Sequence, residues 1–298
     1  MKVLIVGLPY FTKYLVNKLK AKYPQFTFIA LNTYYSKSDK LKFLLHIWNC
    51  DVIHSINGSL EKSFVFDLSI LLHRKLIFHW VGSDLYRAVQ IANTPISKPK
   101  YIKYPIHLTD TPWYVNELSK IQINSEFVPL KGFNKEQKIS DFPSTFSVLT
   151  YIGNSNPEFY GINELIIIAE CLSEVNFYVV GLESYKKPLP SNIYLLGWVD
   201  NMQEKIENSV VCLRMPKTDG LAFFVLEALY FGRYVAYNQE FESSEFCKNT
   251  QEFINYIYKL KTEFDSKKLQ PNYQIAAKIL NDFDEEIILE NIIKQYLK

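Results

Sequence analysis

Short apolar runs alternate with stretches of helical spacing along the chain, and the alternation stops once and then restarts. That pattern is the signature of parallel sheets covered by helices, and a restart means two such units. In the first half the strands read as Lys2–Val6, Phe26–Leu31, Asp51–Ser55, Leu76–Trp80, His107–Leu108 and Phe127–Pro129. An amphipathic helix over 11–22 carries Leu15 and Leu19 between lysines. Residues 131–145, polar with Gly132, Pro143 and Ser144, read as a linker. After it come strands Phe146–Ile152, Asn176–Val180, Ile193–Leu196, Val210–Leu213 and Tyr234–Tyr237. Helices are expected over 161–172, 222–232, 250–263 and 271–297. The 298 residues suit two domains, and a 48% apolar content supplies both cores. The organisation predicted is one domain over 1–138 and a second over 139–298. Their ligand site is predicted in a cleft between them, beyond the carboxyl ends of both sheets.

The first apolar run is too short for a membrane span and lacks a cleavage site, so it reads as a buried strand. Cys50, Cys171, Cys212 and Cys247 are scattered without metal-ligand spacing and read as reduced thiols of a cytoplasmic protein. No His/Asp/Glu/Cys cluster suggests a metal, no cofactor is indicated, and "GLPYFT" after the first strand lacks the dinucleotide glycine fingerprint. Charge is lopsided: residues 1–142 hold 19 Lys/Arg against 10 Asp/Glu, and the remainder 14 against 21. Lys13, Lys18, Lys20 and Lys22, with the Lys-aromatic segment 97–105, suit peripheral contact with an anionic membrane at its inner face rather than nucleic acid.

The densest chemistry lies in "LRMPKTDGLAFFVLEALYFG" (213–232), where a strand ends in a loop holding Arg214, Lys217, Asp219 and Gly220 and a helix follows at once. Gly220 permits close approach of a ligand to the backbone, and the helix start offers N–H donors to anionic or hydroxyl-rich groups. Glu227 sits in an otherwise apolar helix and needs either an ionic partner, with Arg214 or Arg233 at hand, or a polar cleft.

Asp219 and Glu227, seven residues between them, resemble the acidic pair of family-4-like retaining glycosyltransferases of the GT-B fold. The usual first acid is Glu. "RMPKTDG" resembles a branch whose loop reads Arg, a few residues, then Asp-Gly. "DVIHSING" (51–58), "FHWVGSDL" (78–85), "FVPLKGFN" (127–134) and "YIGNSNPEFYGINELIIIAECL" (151–172) resemble further family segments in order. The resemblance implies two Rossmann-like domains facing across a cleft, with the last helix (about 280–298) packing back on the first. It implies transfer of a sugar from a nucleotide-sugar donor to a glycan or lipid-linked acceptor, with retention and without a metal. By resemblance Asp219 contacts the donor sugar, the backbone of Gly220, Leu221 and Ala222 holds sugar and phosphate, and Glu227 holds the ribose. Gly153, Asn154, Trp198 and Gly7 complete the donor side; His79 joins the catalytic group, and Gly82 and Asp84 face the acceptor.

The chain departs from that pattern where family members carry diphosphate-binding cations, for it has Asn154 and Tyr160 there. Arg214 and Lys217 are the replacements expected, since a leaving phosphate needs positive charge or dense N–H donors. Rival readings are a sugar-nucleotide epimerase on the same fold, a partner subunit that has lost transfer, and, least supported, a nicotinamide oxidoreductase.

Overall fold

The computed structural model describes residues 1–136 and 138–298. The chain divides into two compact units, the first Met1–Gly132 with Glu285–Lys298 and the second Phe133–Asp284.

In the first unit the elements run β1 (Lys2–Gly7), α1 (Pro9–Lys22), β2 (Thr27–Leu31), α2 (Lys37–His46), β3 (Val52–Ile56) and α3 (Phe64–Leu71). There follow β4 (Lys75–Trp80), α4 (Ser83–Ile91), α5 (Pro99–Lys103), β5 (Ile106–Thr109), α6 (Tyr114–Ser119) and β6 (Ser125–Phe127). The six strands form one parallel sheet in the order β2-β1-β3-β4-β5-β6. Val3 to Val6 are wholly buried because helices cover both faces of β1, which is why that run is apolar without alternation. α1 starts with Pro9 in its first turn, ends among Lys20 and Lys22, and buries Thr12, Leu15, Val16 and Leu19 at helical spacing.

In the second unit come β7 (Ser147–Tyr151), α7 (Ile162–Cys171), β8 (Asn176–Val180), β9 (Ile193–Gly197), α8 (Met202–Glu207) and β10 (Val211–Arg214). Then follow α9 (Phe223–Tyr230), β11 (Tyr234–Tyr237), β12 (Glu245–Phe246), α10 (Thr250–Asp265) and α11 (Tyr273–Asp282). Its parallel sheet has the order β12-β11-β10-β7-β8-β9. The core is built from β7, β8 and β10 against α7 and α10, with Phe146, Phe177, Ile168 and Ile257 inside it.

The helix expected over 271–297 is two. α11 stops at Asp282, and α12 (Glu285–Leu297) belongs to the first unit. Between them the Phe283 carbonyl accepts a hydrogen bond from Phe133 N at 2.8 Å, and the Asp284 carboxylate, 5% exposed, pairs with Lys135 at 3.2 Å. The Phe133 ring stacks on Tyr230 at 4.1 Å. Backbone groups committed to a partner 150 residues away cannot also continue a helix.

α12 is held in the first unit by charge and by hydrogen bonds. Lys18 pairs with Glu285 at 2.7 Å, and Lys22 reaches Glu286 at 3.0 Å and Glu290 at 3.4 Å. Inside, Tyr296 reaches His54. Helices α2 to α6 and α8, and the short edge strand β12, carry weaker local signals and go unread in the sequence.

Candidate functional site

In each sheet the chain builds outward in one direction and then returns to build in the other. The reversal falls between β1 and β3 in the first unit and between β7 and β10 in the second. Loops leaving adjacent strands at such a point diverge to opposite faces and open a crevice at the carboxyl ends.

In the second unit that point is flanked by Gly153 and Asn154 after β7 and by the 215–222 loop after β10. Arg214 closes β10, and its guanidinium grips Asp219 with two bonds, Nε to Oδ2 at 2.7 Å and Nη2 to Oδ1 at 3.1 Å. The side chains are only 8% and 11% exposed. Tyr237 Oη donates to Asp219 Oδ2 at 3.0 Å, and Arg214 Nη1 donates to the Tyr151 carbonyl at 3.4 Å. Burial works against the Arg214 charge, but the hydrogen bond and attraction to Asp219 outweigh it and raise the guanidinium above its ordinary value. Two residues expected to meet the donor separately are therefore one fork-to-fork unit. Of five guanidinium N–H groups these contacts use three, and of roughly four carboxylate acceptor positions they use three.

Tyr160, the second departure from the family pattern, lies against this pair. Its ring sits 5.2 Å from the Arg214 guanidinium carbon. It also packs so closely on Gly153 that a Cβ there would lie 2.7 Å from the ring. Asn154 is exposed, as is Lys217, whose backbone N–H donates to the Phe159 carbonyl at 2.9 Å. α9 begins after Ala222 with no side-chain cap, Leu221 is buried, and Gly220 is half-buried. Glu227 is half-buried one turn inside the helix. Arg233, offered as its alternative partner, is wholly buried and donates to the carbonyls of Ile206, Ser140, Asp141 and Glu207. Trp198 follows β9 and stands 76% exposed.

In the first unit Gly7 closes β1 at φ +115°, and a Cβ there would lie 2.1 Å from the Ile56 carbonyl oxygen. Beside it a cavity of about 420 Å3 is lined by Gly7, Asn57, Gly58, Asp84 and Arg87, with Lys40 and Lys62 among its walls. Asp84 is a brace: it accepts from Gly58 N at 2.8 Å, Gly82 N at 2.7 Å and Val81 N at 3.1 Å, tying two loops together. Burial pushes its carboxyl up to about 6 against the pull of these donors. His79 is not among the residues lining the cavity; it is wholly buried, with Nδ1 on His54 and Nε2 on the Val128 carbonyl. Gly7, Gly82 and Asp84 thus gather at one end of the first sheet and Gly153, Arg214, Asp219 and Gly220 at the matching end of the second.

Sequence reasoning missed Tyr237 and Tyr296, whose hydroxyls complete the buried networks; each looks like core filling. It also missed Lys40, Lys62 and Arg87 in the cavity wall.

No protein-family profile and no curated sequence matches the chain. Solved structures do. Sucrose-phosphate synthase from Thermosynechococcus elongatus superposes with a TM-score of 0.76 at 11% identity, over 99% of this chain and 98% of that one. The lipopolysaccharide outer core galactosyltransferase WaaB, in its apo form, gives 0.65 at 12% identity over 100% and 99%. The fold is GT-B. A putative UDP-N-acetylglucosamine 2-epimerase from Listeria monocytogenes gives 0.56 at 13% identity over 98% and 94%.

Proposed function

We propose that the protein is a glycosyltransferase that moves a sugar from a nucleotide donor to a glycan or lipid-linked acceptor, with retention and without a metal. The observation that carries this reading is the Arg214–Asp219 unit at the start of the α9 loop, beside the reversal point of the second sheet. A guanidinium held by a neighbouring carboxylate presents its remaining N–H groups in a fixed direction, which suits a diphosphate better than a mobile lysine. Asp219 keeps one acceptor position for a sugar hydroxyl. The uncapped start of α9 adds backbone donors and the positive end of its dipole. Glu227, one turn along, takes the ribose hydroxyls, and exposed Trp198 offers a face for the base. Charge on the departing phosphate then meets preorganised donors in place of a metal.

Asn154 and Tyr160 do not remove the cation in this scheme, because Arg214 stands over the Tyr160 ring. His79, out of reach of any bound molecule, serves by positioning. The acceptor enters the cavity beside Gly7. Titration calorimetry against a panel of nucleotide sugars, followed by proton NMR of the product's anomeric centre with and without EDTA, tests the reading. Donor binding, retained configuration and indifference to EDTA are expected. Donor interconversion at the C2 position without an acceptor would instead establish the epimerase reading, which the 2-epimerase neighbour keeps in view.

A further inference from the structure

We propose that the outer faces of α2 and α3 form a surface that docks on an anionic lipid bilayer. α2 anchors itself through Phe43 and the following Ile47, both wholly buried. Its opposite stripe is apolar where a surface helix is ordinarily polar: Leu41, Leu44 and Leu45, with Trp48 in the turn just after the helix, at i, i+3, i+4 and i+7, are 62, 38, 70 and 64% exposed. α3 adds Phe64 and Leu71, seven residues apart and 44 and 71% exposed. The two helices are neighbours, since the Phe43 and Phe64 rings meet edge-on at 6.3 Å and Arg74 Nη2 donates to the Trp48 carbonyl at 2.7 Å. Six large apolar side chains exposed on two neighbouring helices mark an interaction surface.

Charge chooses the partner. The carboxylates around the patch are already occupied: Asp39 by Lys42 and the Asn32 N–H, Glu61 by Arg87, and Asp67 by Lys100. Among the described residues Lys37 and Lys40 form no ion pair, and Lys62 acts on Asp67 without a direct ion pair. A second copy seated symmetrically on this patch would set those lysines against their own counterparts. Anionic headgroups satisfy them, while leucines and a tryptophan enter the headgroup–acyl boundary. Lys40, Lys62 and Phe64 also line the cavity beside Gly7, so a headgroup at the patch edge lies at the cavity mouth. The lysines that the sequence pointed to on α1 are partly spent, because Lys18 and Lys22 hold α12.

The test is co-sedimentation with vesicles of phosphatidylcholine containing about 30% phosphatidylglycerol, beside pure phosphatidylcholine. The wild type should bind the anionic vesicles, lose most binding at high salt, and bind the neutral ones at least tenfold more weakly. Leu45→Ser with Trp48→Ser, and separately Lys37→Gln with Lys40→Gln, should each cut binding tenfold or more with the circular dichroism spectrum unchanged. Lys20→Gln on α1 should leave it within twofold. Absence of binding overturns the proposal, as does a concentration-dependent dimer abolished by the Leu45/Trp48 substitutions. The surface is inferred without reference to sugar transfer, so its failure leaves that reading intact.

Discussion

His54 Nε2 lies 3.1 Å from His79 Nδ1 in the interior of the first unit, and the proton between them belongs to His54. The assignment follows from the ends of the chain. Val128 offers only a carbonyl to His79 Nε2 at 2.8 Å, so that nitrogen donates and His79 Nδ1 must accept. His54 Nε2 therefore donates, and its Nδ1 accepts from the Tyr296 hydroxyl at 2.7 Å. Every polar atom of the two rings is satisfied by one tautomer of each.

A charged ring has no place in that relay. Burial lowers His79 to about 3 and, with repulsion from His79, holds His54 well below its ordinary 6.5. The unfolded chain takes up both protons below about 6.5. The pair's contribution is thus complete above that pH and is lost as pH falls toward 3, at up to about 1.4 kcal/mol per pH unit for each ring. Asp84 and Asp110, raised by burial to about 6 and about 7, gain protons first in the fold and oppose the trend. A difference measurement isolates the ring. His79→Gln keeps a donor for Val128 and an acceptor for His54, and its denaturation free energy should fall less steeply than wild type between pH 6 and 4. Equal slopes would show that His79 is not held neutral. Tyr296→Phe should cost about 1–3 kcal/mol at pH 7.5 by stranding His54 Nδ1.

Arg214 and Asp219 are expected to show strong coupling in a double-mutant cycle. Arg214→Gln or Asp219→Asn alone leaves a buried charge unpaired, at about 3–5 kcal/mol of stability. Together they should restore most of that stability while turnover stays down by about 10²–10³. Recovery of turnover with stability would assign the pair to structure alone. Lys217→Ala, at an exposed loop position, should lower turnover less than either.

Glu227→Gln should weaken nucleotide-sugar binding by about 1.5–3 kcal/mol with the melting temperature little changed. Calorimetry on the purified variant decides it, and unaltered affinity removes Glu227 from the ribose.

Gly7→Ala forces a Cβ into the Ile56 carbonyl at a positive φ that L-residues avoid. The cost should be on the order of 3 kcal/mol or more, read as a large drop in the denaturation midpoint. A midpoint within experimental error of wild type would mean that β1 and β3 separate easily at their carboxyl ends.

The strands were legible because their burial on both faces writes them as unbroken apolar runs, as in Val3–Val6 and Val211–Leu213. Arg214 and Asp219 were legible as candidates, since a loop between strand and helix gathers them within five residues, but their union was not. Where the sequence misled, the cause was long-range. Lys18 and Lys22 look like free cations until Glu285, Glu286 and Glu290 return to them. The helical spacing over 271–297 is continuous, and only pairing with Phe133 shows where it breaks. The apolar residues of α2 went unread, because nothing local says that they face outward.

The place of α12 has a consequence for synthesis. The first unit is interrupted in sequence by the whole of the second, so the ribosome delivers β1 to β6 long before Tyr296. Until then His54 Nδ1 has no donor, and the lysines of α1 face no carboxylates. Domains ordinarily fold in the order they emerge. Here the second unit is complete at Asp284 while the first still waits, so the half of the molecule made first is the half that finishes last.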